Sequence, residues 1–183
     1  MVDHDDGLRK YVGMRSEPVT ACDPVEPGAV RRFVQAIGDD DPVYWDAEYA
    51  AATPYGVPVA PPLYVSHVAR RPPGTPDPFD RFADQPDLDG SDGAFVAAGA
   101  PNTHGRRLPP VDVPQVRLLN GGVEAEFFAL PAHGDVITSV AEYVDVYERE
   151  GRSGPMVFVV TETTAENQDG RLLARVRNTT IRR

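Results

Sequence analysis

Hydrophobic positions in the first part of the chain follow helical spacing. They recur at intervals of three and four residues, as one apolar stripe of a helix requires: Val30, Phe33, Val34 and Ile37. Pro27 precedes the stripe, where its missing N–H is tolerated, and Gly38 follows it as a stop signal. The sequence therefore predicts a helix over residues 27–37.

Two shorter helices are predicted after this one. Asp46 can cap the segment D-A-E-Y-A-A-A-T, which is rich in helix-forming alanine. Residues 60–71, A-P-P-L-Y-V-S-H-V-A-R-R, carry Pro61 and Pro62 in what would be the first turn. This last segment is mostly apolar, so we expect it to be buried.

From Val111 onward the pattern changes to the alternation typical of strands. Segments 123–130, 136–147, 155–166 and 171–183 are separated by turn sequences at 133–135 (H-G-D), 151–154 (G-R-S-G) and 167–170 (N-Q-D-G). Residues 15–22 favour an edge strand, because Pro18 cannot donate to a ladder. Helices followed by an antiparallel meander predict an α+β domain, with residues 60–68 as the helix that the sheet wraps.

Residues 72–110 have a different character. They are rich in Pro, Gly and Asp and have no sustained period, which indicates a long connection within one domain. We therefore expect a single domain over residues 1–183, interrupted by this insert.

Charge and cysteine content narrow the class of protein. A formal charge of -10 argues against nucleic acid or an anionic membrane as the main partner. The single cysteine, Cys22, excludes an internal disulfide and fits the reducing cytoplasm. No apolar stretch approaches the ~20 residues that a membrane-spanning helix needs. The spacing of the four histidines indicates no metal site, and we expect no cofactor.

An acidic loop behind the first long helix carries the candidate chemistry. Its sequence is G-D-D-D-P-V-Y-W-D, from Gly38 to Asp46. Asp39 follows an electronegative helix end, and Pro42 fixes the local backbone direction. A carboxylate and a second polar group, such as the Tyr44 hydroxyl, can share the proton transfers of adding water to a double bond. The bland alternative is a solvated acidic turn.

This loop resembles the hydratase signature G-D-x-N-P-x-H-x-D of the MaoC-like branch of the hot-dog superfamily. Further segments are similar in the same order: G-V-P-V-A-P-P from Gly56, N-G-G-V-E-A-E-F-F from Asn120, H-G-D at 133–135 and N-Q-D-G at 167–170. The resemblance implies a hot-dog fold, with a long central helix wrapped by an antiparallel sheet and two such units paired edge to edge. It also implies acyl thioesters of coenzyme A or acyl carrier protein as ligands.

The chain departs from the family pattern at two places. Asp39 matches the catalytic Asp, but Tyr44 stands where the His belongs and Asp41 where the Asn belongs. Tyrosine, with a pKa near ~10, exchanges protons poorly at neutral pH. Pro61 and Pro62 stand where active members carry His-Gly, and proline has no N–H to polarise the thioester carbonyl.

These departures predict the non-catalytic, channel-shaping half of a heteromeric enoyl-thioester hydratase or 3-hydroxyacyl-thioester dehydratase. Its partner would be a second hot-dog subunit with an intact Asp/His pair. Two alternatives are a self-sufficient homodimer that uses Asp39, with Tyr44 or a water, and a thioester-binding module without turnover. Besides the candidates Asp39 and Tyr44, the expected substrate contacts are Asp41, Trp45, Tyr55, Pro61, Pro62, Tyr64, Asn120 and Gly121. For the Asn120–Gly122 segment, a β-bulge at the start of a strand is the preferred interpretation.

Overall fold

A five-stranded antiparallel sheet forms the main layer of the computed structural model, which describes residues 4–68, 74, 108–115, 117–152 and 154–183. The strands, in the order that they occupy across the sheet, are β1 (Val19–Thr20), β3 (Thr138–Gly151), β4 (Gly154–Glu166), β5 (Leu172–Arg182) and β2 (Leu118–Phe127). The helices are α1 (His4–Arg9), α2 (Pro27–Ile37), α3 (Ala47–Ala51) and α4 (Val65–Val68). Helices combined with an antiparallel sheet confirm the predicted α+β class.

Tight turns set the register of β3, β4 and β5. Gly151 pairs with Gly154 across the first hairpin. At the second, the Asn167 side chain accepts hydrogen bonds from the backbone N–H groups of Asp169 (3.1 Å) and Arg171 (3.0 Å). Gly170 there has φ 74°, a conformation that side chains with a Cβ disfavour. These three strands form the meander that the sequence predicts.

Strand β2 does not continue that meander, and the expectation of a simple meander is wrong here. β2 pairs with β5, so β5 and β4 separate it from β3. Residues 128–137 form a crossover whose backbone bonds to other segments. The N–H of Ala60 donates to Pro131 (2.7 Å), that of His133 to Pro58 (3.0 Å) and that of Gly134 to Val25 (2.9 Å). The H-G-D turn therefore ties the loops to the sheet instead of closing a hairpin.

Helix α2 has the predicted bounds and ends at Gly38, whose φ of 71° allows the left-handed C-cap. The segment predicted as a helix over residues 60–71 does not begin with an α-helical turn. Pro61 is extended (ψ 154°), because a following proline disfavours the helical region, and a 3₁₀ turn spans Pro62–Tyr64. Regular α-helix begins only at Val65, and residues 69–71 lie outside the described part.

The core forms where α2, the acidic loop and the segment before α4 meet the sheet and the crossover. Its buried side chains include Val30, Val34, Tyr44, Tyr64, Ile137 and Leu173. The edge-to-face contact between the Phe33 and Tyr64 rings, with centroids 5.4 Å apart, joins α2 to the 3₁₀ turn. This packing holds the acidic loop against the sheet.

The predicted insert falls almost entirely on residues that the structure does not describe, and the single-domain expectation stays a prediction. Residues 108–115, which follow it, are described. There Val111 joins a second apolar cluster with Tyr11 and Tyr143, and its carbonyl accepts a hydrogen bond from the buried Arg182 side chain. None of the described helices is long and apolar enough to cross a membrane.

The buried Asp135 carboxylate joins the crossover to the β4–β5 turn. It accepts hydrogen bonds from the Ala132 N–H (2.8 Å) and from the side-chain amides of Asn167 (3.3 Å) and Gln168 (3.2 Å). We predict that Asp135→Ala lowers the free energy of unfolding by about 1–3 kcal/mol, because these donors lose their acceptor.

Urea denaturation measures this effect, with Asp23→Ala at an exposed aspartate as the matched control. Surface substitutions usually change stability by less than about 0.5 kcal/mol. Equal losses in the two variants would contradict the structural role of Asp135.

Candidate functional site

The carboxylate of Asp39 stands at the start of the acidic loop, directly after the Gly38 cap. Its backbone N–H donates to the Val34 carbonyl (3.0 Å), which fixes Asp39 to the last turn of α2. One carboxylate oxygen, Oδ2, accepts a hydrogen bond from the Tyr44 hydroxyl (3.0 Å). The other, Oδ1, accepts a longer one from the Asp41 N–H (3.3 Å). The two candidate catalytic side chains are therefore in direct contact.

Tyr44 is buried, whereas Asp39 is half-buried. The 3₁₀ turn Pro42–Tyr44 directs the ring into the core, and the hydroxyl reaches back to Asp39. Burial, followed by the hydrogen bond to Asp39, raises the pKa of Tyr44 from 10.0 to about 12. The phenol therefore stays protonated at neutral pH and donates a hydrogen bond to the carboxylate.

Two other aspartates of the loop serve as caps. The Asp41 side chain accepts a hydrogen bond from the Val43 N–H (3.0 Å) and starts the 3₁₀ turn. The Asp46 side chain accepts from the N–H groups of Glu48 and Tyr49 (3.0 Å each) and starts α3, as the sequence predicts. Asp41 was also predicted as a substrate contact, which stays a prediction.

His133 also lies close to Tyr44, although its position in the sequence predicted no role in the site. Its ring forms a hydrogen bond with the backbone of Tyr44. Burial lowers the pKa of His133, and the bond to Tyr44 opposes that lowering. Nε2 is buried and has no partner among the described residues. In the sequence, the H-G-D motif predicts a turn at His133 but does not indicate that this turn packs beside Tyr44.

A cavity of about 340 Å³ lies next to the acidic loop. Tyr55, predicted as a substrate contact, forms part of its wall and is electrostatically coupled to Tyr44. The backbone joins the two places as well, because the N–H of Val59 in the cavity wall donates to the Val43 carbonyl (3.3 Å). Phe127 and Phe128, for which the sequence predicted no role in the site, also line the cavity, and so does Arg171.

The remaining predicted contacts have different surroundings. Pro61 and Tyr64 are buried, and Pro62 is half-buried in the 3₁₀ turn. Trp45 is 46% exposed. Their roles toward a substrate stay predictions. The first backbone N–H after the two prolines belongs to Leu63.

Asn120 and Gly121 lie on the edge strand β2, where their described contacts are with their own strand and β5. The register shifts between Asn120 and Gly122, so the predicted β-bulge is confirmed. The Asn120 side chain accepts a hydrogen bond from the Gly122 N–H (2.9 Å). A Cβ at Gly121 would lie 2.7 Å from Cγ2 of Thr179, which explains the glycine. The substrate contact predicted for both residues stays a prediction.

Within the described residues, no group of three or more His, Cys, Asp or Glu side chains is placed to hold a metal ion. What the site does offer is the Asp39 carboxylate, the high-pKa Tyr44 phenol and the His133 imidazole, with a cavity close by whose wall includes Tyr55. A carboxylate that accepts from a phenol can orient a polar ligand. A phenol with a pKa of about 12 is a poor acid or base near neutrality.

Comparison with known proteins assigns the family. Residues 10–176 match the family described as FAS1-like, dehydratase domain region, and the chain belongs to that family. A 59-residue segment is 46% identical to a UPF0336 protein of Streptomyces avermitilis. That segment spans 37% of the relative's length and 31% of this chain.

Solved structures share the fold. The ChsH1–ChsH2 complex of Mycobacterium tuberculosis matches with a TM-score of 0.65 and 21% identity over 92% of this chain and 88% of that one. The HadBC (3R-hydroxyacyl-ACP dehydratase) complex of the same organism has a TM-score of 0.55 and 21% identity, over 93% of this chain and 98% of that one. The R-hydratase PhaJ1 of Pseudomonas aeruginosa has a TM-score of 0.54 and 16% identity, over 93% of this chain and 81% of that one. These matches confirm the predicted hot-dog fold.

The Tyr44–Asp39 contact predicts a pH dependence of stability. The pKa of Tyr44 is raised in the folded state, so its stabilising contribution is complete below pH 10 and is lost as the pH rises toward 12. We predict that Tyr44→Phe is less stable than the wild type at neutral pH, and that the difference shrinks between pH 10 and 12.

Urea denaturation of both proteins at several pH values measures that difference. Tyr49→Phe, at a 47% exposed tyrosine of α3, is the control. A gap between Tyr44→Phe and the wild type that stays constant across this pH range would show that the contact contributes no such linkage.

Proposed function

We propose that this chain is the non-catalytic, channel-shaping subunit of a heteromeric enoyl-thioester hydratase or 3-hydroxyacyl-thioester dehydratase. Its ligand is the acyl thioester of coenzyme A or acyl carrier protein, and its setting is the cytoplasm. The observation that carries the proposal is the hydrogen bond from Tyr44 to Asp39 at 3.0 Å. This contact supports the proposal because Tyr44, with a pKa of about 12, stands where the family pattern has a histidine, and hydration chemistry needs a group that titrates near neutrality.

The segment before α4 supports the same conclusion. Pro61 and Pro62 remove two successive backbone N–H groups at the start of the 3₁₀ turn. In enzymes that stabilise an oxyanion with such donors, the loss of one costs about 10²–10³ in rate. Proton transfer and carbonyl polarisation are therefore weakened by independent sequence changes.

A second hot-dog subunit fits the free edge of the sheet. β2 is the outermost strand, and its far edge has no strand partner among the described residues. Val123 and Phe127, on one face of this strand, are 58% and 41% exposed. A long edge strand with exposed apolar side chains on one face invites pairing with another chain. The matched ChsH1–ChsH2 and HadBC structures are complexes, which supports a partner subunit for this chain.

A self-sufficient hydratase is the second candidate, because Asp39 is retained and a His133 nitrogen lies buried close to Tyr44 without a described partner. In that case Asp39 acts as the base in a homodimer. The third candidate is a thioester-binding module without turnover, which the cavity beside the loop would also serve.

An activity assay separates these candidates. The purified chain, and the chain with a hot-dog subunit encoded next to it that carries an intact G-D-x-N-P-x-H motif, are tested for hydration of crotonyl-CoA and of longer enoyl-CoA substrates. We predict no hydration by the chain alone and hydration by the pair. Asp39→Asn in this chain should leave the rate of the pair within about threefold, a change below 1 kcal/mol in barrier.

Each alternative has its own result in this assay. Full activity of the chain alone, abolished by Asp39→Asn, would establish the self-sufficient enzyme and refute the degenerate subunit. Thioester binding without hydration in either sample would support the third candidate, a binding module without turnover. The corresponding Asp→Asn change in the partner's motif is the positive control, and it should abolish the activity of the pair.

Subunit pairing along β2 has a separate test. We predict that Val123→Lys weakens association with the partner at least tenfold, because a charge on this face is desolvated when the edges pair. Val123 is 58% exposed, so the isolated variant should remain folded. Sedimentation of the mixed subunits measures the association.

Val12→Lys is the matched control, since Val12 is 43% exposed and its neighbour Gly13 donates to Tyr143 of β3, two strands away from β5 and three from β2. If Val12→Lys weakens the association as much as Val123→Lys does, the interface is not at β2.

A further inference from the structure

The outer face of the sheet carries a row of aromatic and aliphatic side chains that crosses four strands. Val157 and Val159 of β4 are buried in the second apolar cluster on the inner face, so the alternate residues of β4 point outward. Strand pairing aligns four outward residues, one each from β3, β4, β5 and β2, which we call the apolar row: Tyr147, Phe158, Ile181 and Leu119. Leu119 is 46% exposed and the others are half-buried, so the row is partly open to water.

Two rings at the β3 end of the apolar row hold a cation in place. The Tyr147 and Phe158 rings are stacked, with centroids 5.0 Å apart and an angle of 2° between their planes. The Arg149 guanidinium lies 5.0 Å from the centre of the first ring and 5.8 Å from that of the second. These contacts restrict the exposed Arg149 side chain, so less entropy is lost when it meets an anionic group of another molecule.

Opposite charges flank the apolar row on β3. Arg149 follows Tyr147 on the same face of the strand, and Asp145 precedes it there. Both charged residues are exposed. Four residues of extended strand span about 13 Å, and the Tyr147 ring lies between the two charges. The outer face of β3 thus presents an acid, an aromatic ring and a base in a line.

We propose that this face binds the same face of a second copy of the chain, across a twofold axis that runs along the apolar row. The rotation lays each row on its counterpart and reverses the strand direction, so Asp145 of each copy faces Arg149 of the other. A partner surface of a single charge sign would be repelled at one of these two positions. A second copy is complementary at both, because a twofold axis repeats every contact.

The β2 end of the apolar row has a matching order of charges. The exposed Arg117 precedes Leu119, and the exposed Glu124 follows it on the same face, beyond the β-bulge. The same rotation therefore brings unlike charges together at this end as well. Because pairing along the β2 edge leaves both faces of the sheet free, the proposal does not depend on the partner subunit or on hydratase chemistry.

The area of the outer face is large enough for such a contact. A contact centred on the apolar row extends along β4 from Gly154 to Glu162, about 27 Å, and four strands are about 19 Å wide. Each copy then contributes about 500 Å², and two copies reach the roughly 1,000 Å² that a specific interface needs. At the border of this area, Glu162 is already paired with Arg175 (3.2 Å) and Arg177 (2.7 Å).

Sedimentation equilibrium of the purified chain at a series of concentrations tests the proposal. We expect the wild type to self-associate reversibly. Asp145→Arg places like charges opposite each other at both symmetric contacts and should weaken self-association at least tenfold. Adding Arg149→Asp to that variant reverses both charges and should restore the affinity to within about threefold of the wild type.

Three further variants complete the design. Glu150→Arg is the matched control, because Glu150 is exposed on the same strand, points to the other face and undergoes the same change in charge; it should have no effect. Leu119→Lys places a charge in the apolar row and should weaken self-association at least tenfold. Val123→Lys, on the inner face of β2, should leave it unchanged. Circular dichroism verifies that all variants are folded.

Four results would overturn the proposal. They are a wild type that stays monomeric at every concentration, a charge exchange that does not restore the affinity, an equal loss in Glu150→Arg, and a loss in Val123→Lys without one in Asp145→Arg. The last result would assign self-association to the β2 edge. A chain that self-associates through this face but hydrates nothing, alone or with a partner, would refute the proposed hydratase role and leave this inference intact.

Discussion

The hydrogen bond between the Tyr44 hydroxyl and the Asp39 carboxylate is the constraint around which the acidic loop is arranged. The Gly38 cap fixes Asp39 to α2, and the Asp41 cap starts the turn that directs Tyr44 inward. Because the ring is in the core, its hydroxyl must find an acceptor, and Asp39 supplies it at 3.0 Å. The loop is thus closed by the same two side chains that would otherwise carry the chemistry.

The residues around Asp39 and Tyr44 suit ligand binding better than they suit catalysis. Pro61 and Pro62 remove N–H donors from the start of the segment that precedes α4. The cavity that Tyr55 helps to line nevertheless remains open. The sheet edge at β2 is also exposed. A phenol in contact with Asp39, an open cavity close by and a sheet edge without a strand partner among the described residues suit a subunit that positions a ligand for a partner, which is the role proposed for this chain.

Sequence periodicity predicted which residues form the helices and strands better than it predicted which of these elements lie side by side. The stripe ending at Ile37 and the glycine after it defined α2, and the Asn167–Gly170 turn defined the β4–β5 hairpin, because these signals are local. Alternation in β2 indicates which residues share a face but not which strand lies beside it, so the pairing with β5 could not be derived. His133 was not assigned to the site for the same reason: the crossover brings it close to Tyr44, from which it is remote in sequence.

The retention of Asp39 does not by itself argue for catalysis. Position 44, where the family pattern predicts a histidine, carries a phenol that stays protonated up to a pH of about 12, and a buried phenol without an acceptor would be costly. The aspartate is therefore required by the tyrosine whether or not a substrate is turned over. Asp39 and Tyr44 form one structural unit, and their hydrogen bond alone gives the aspartate a reason to be present.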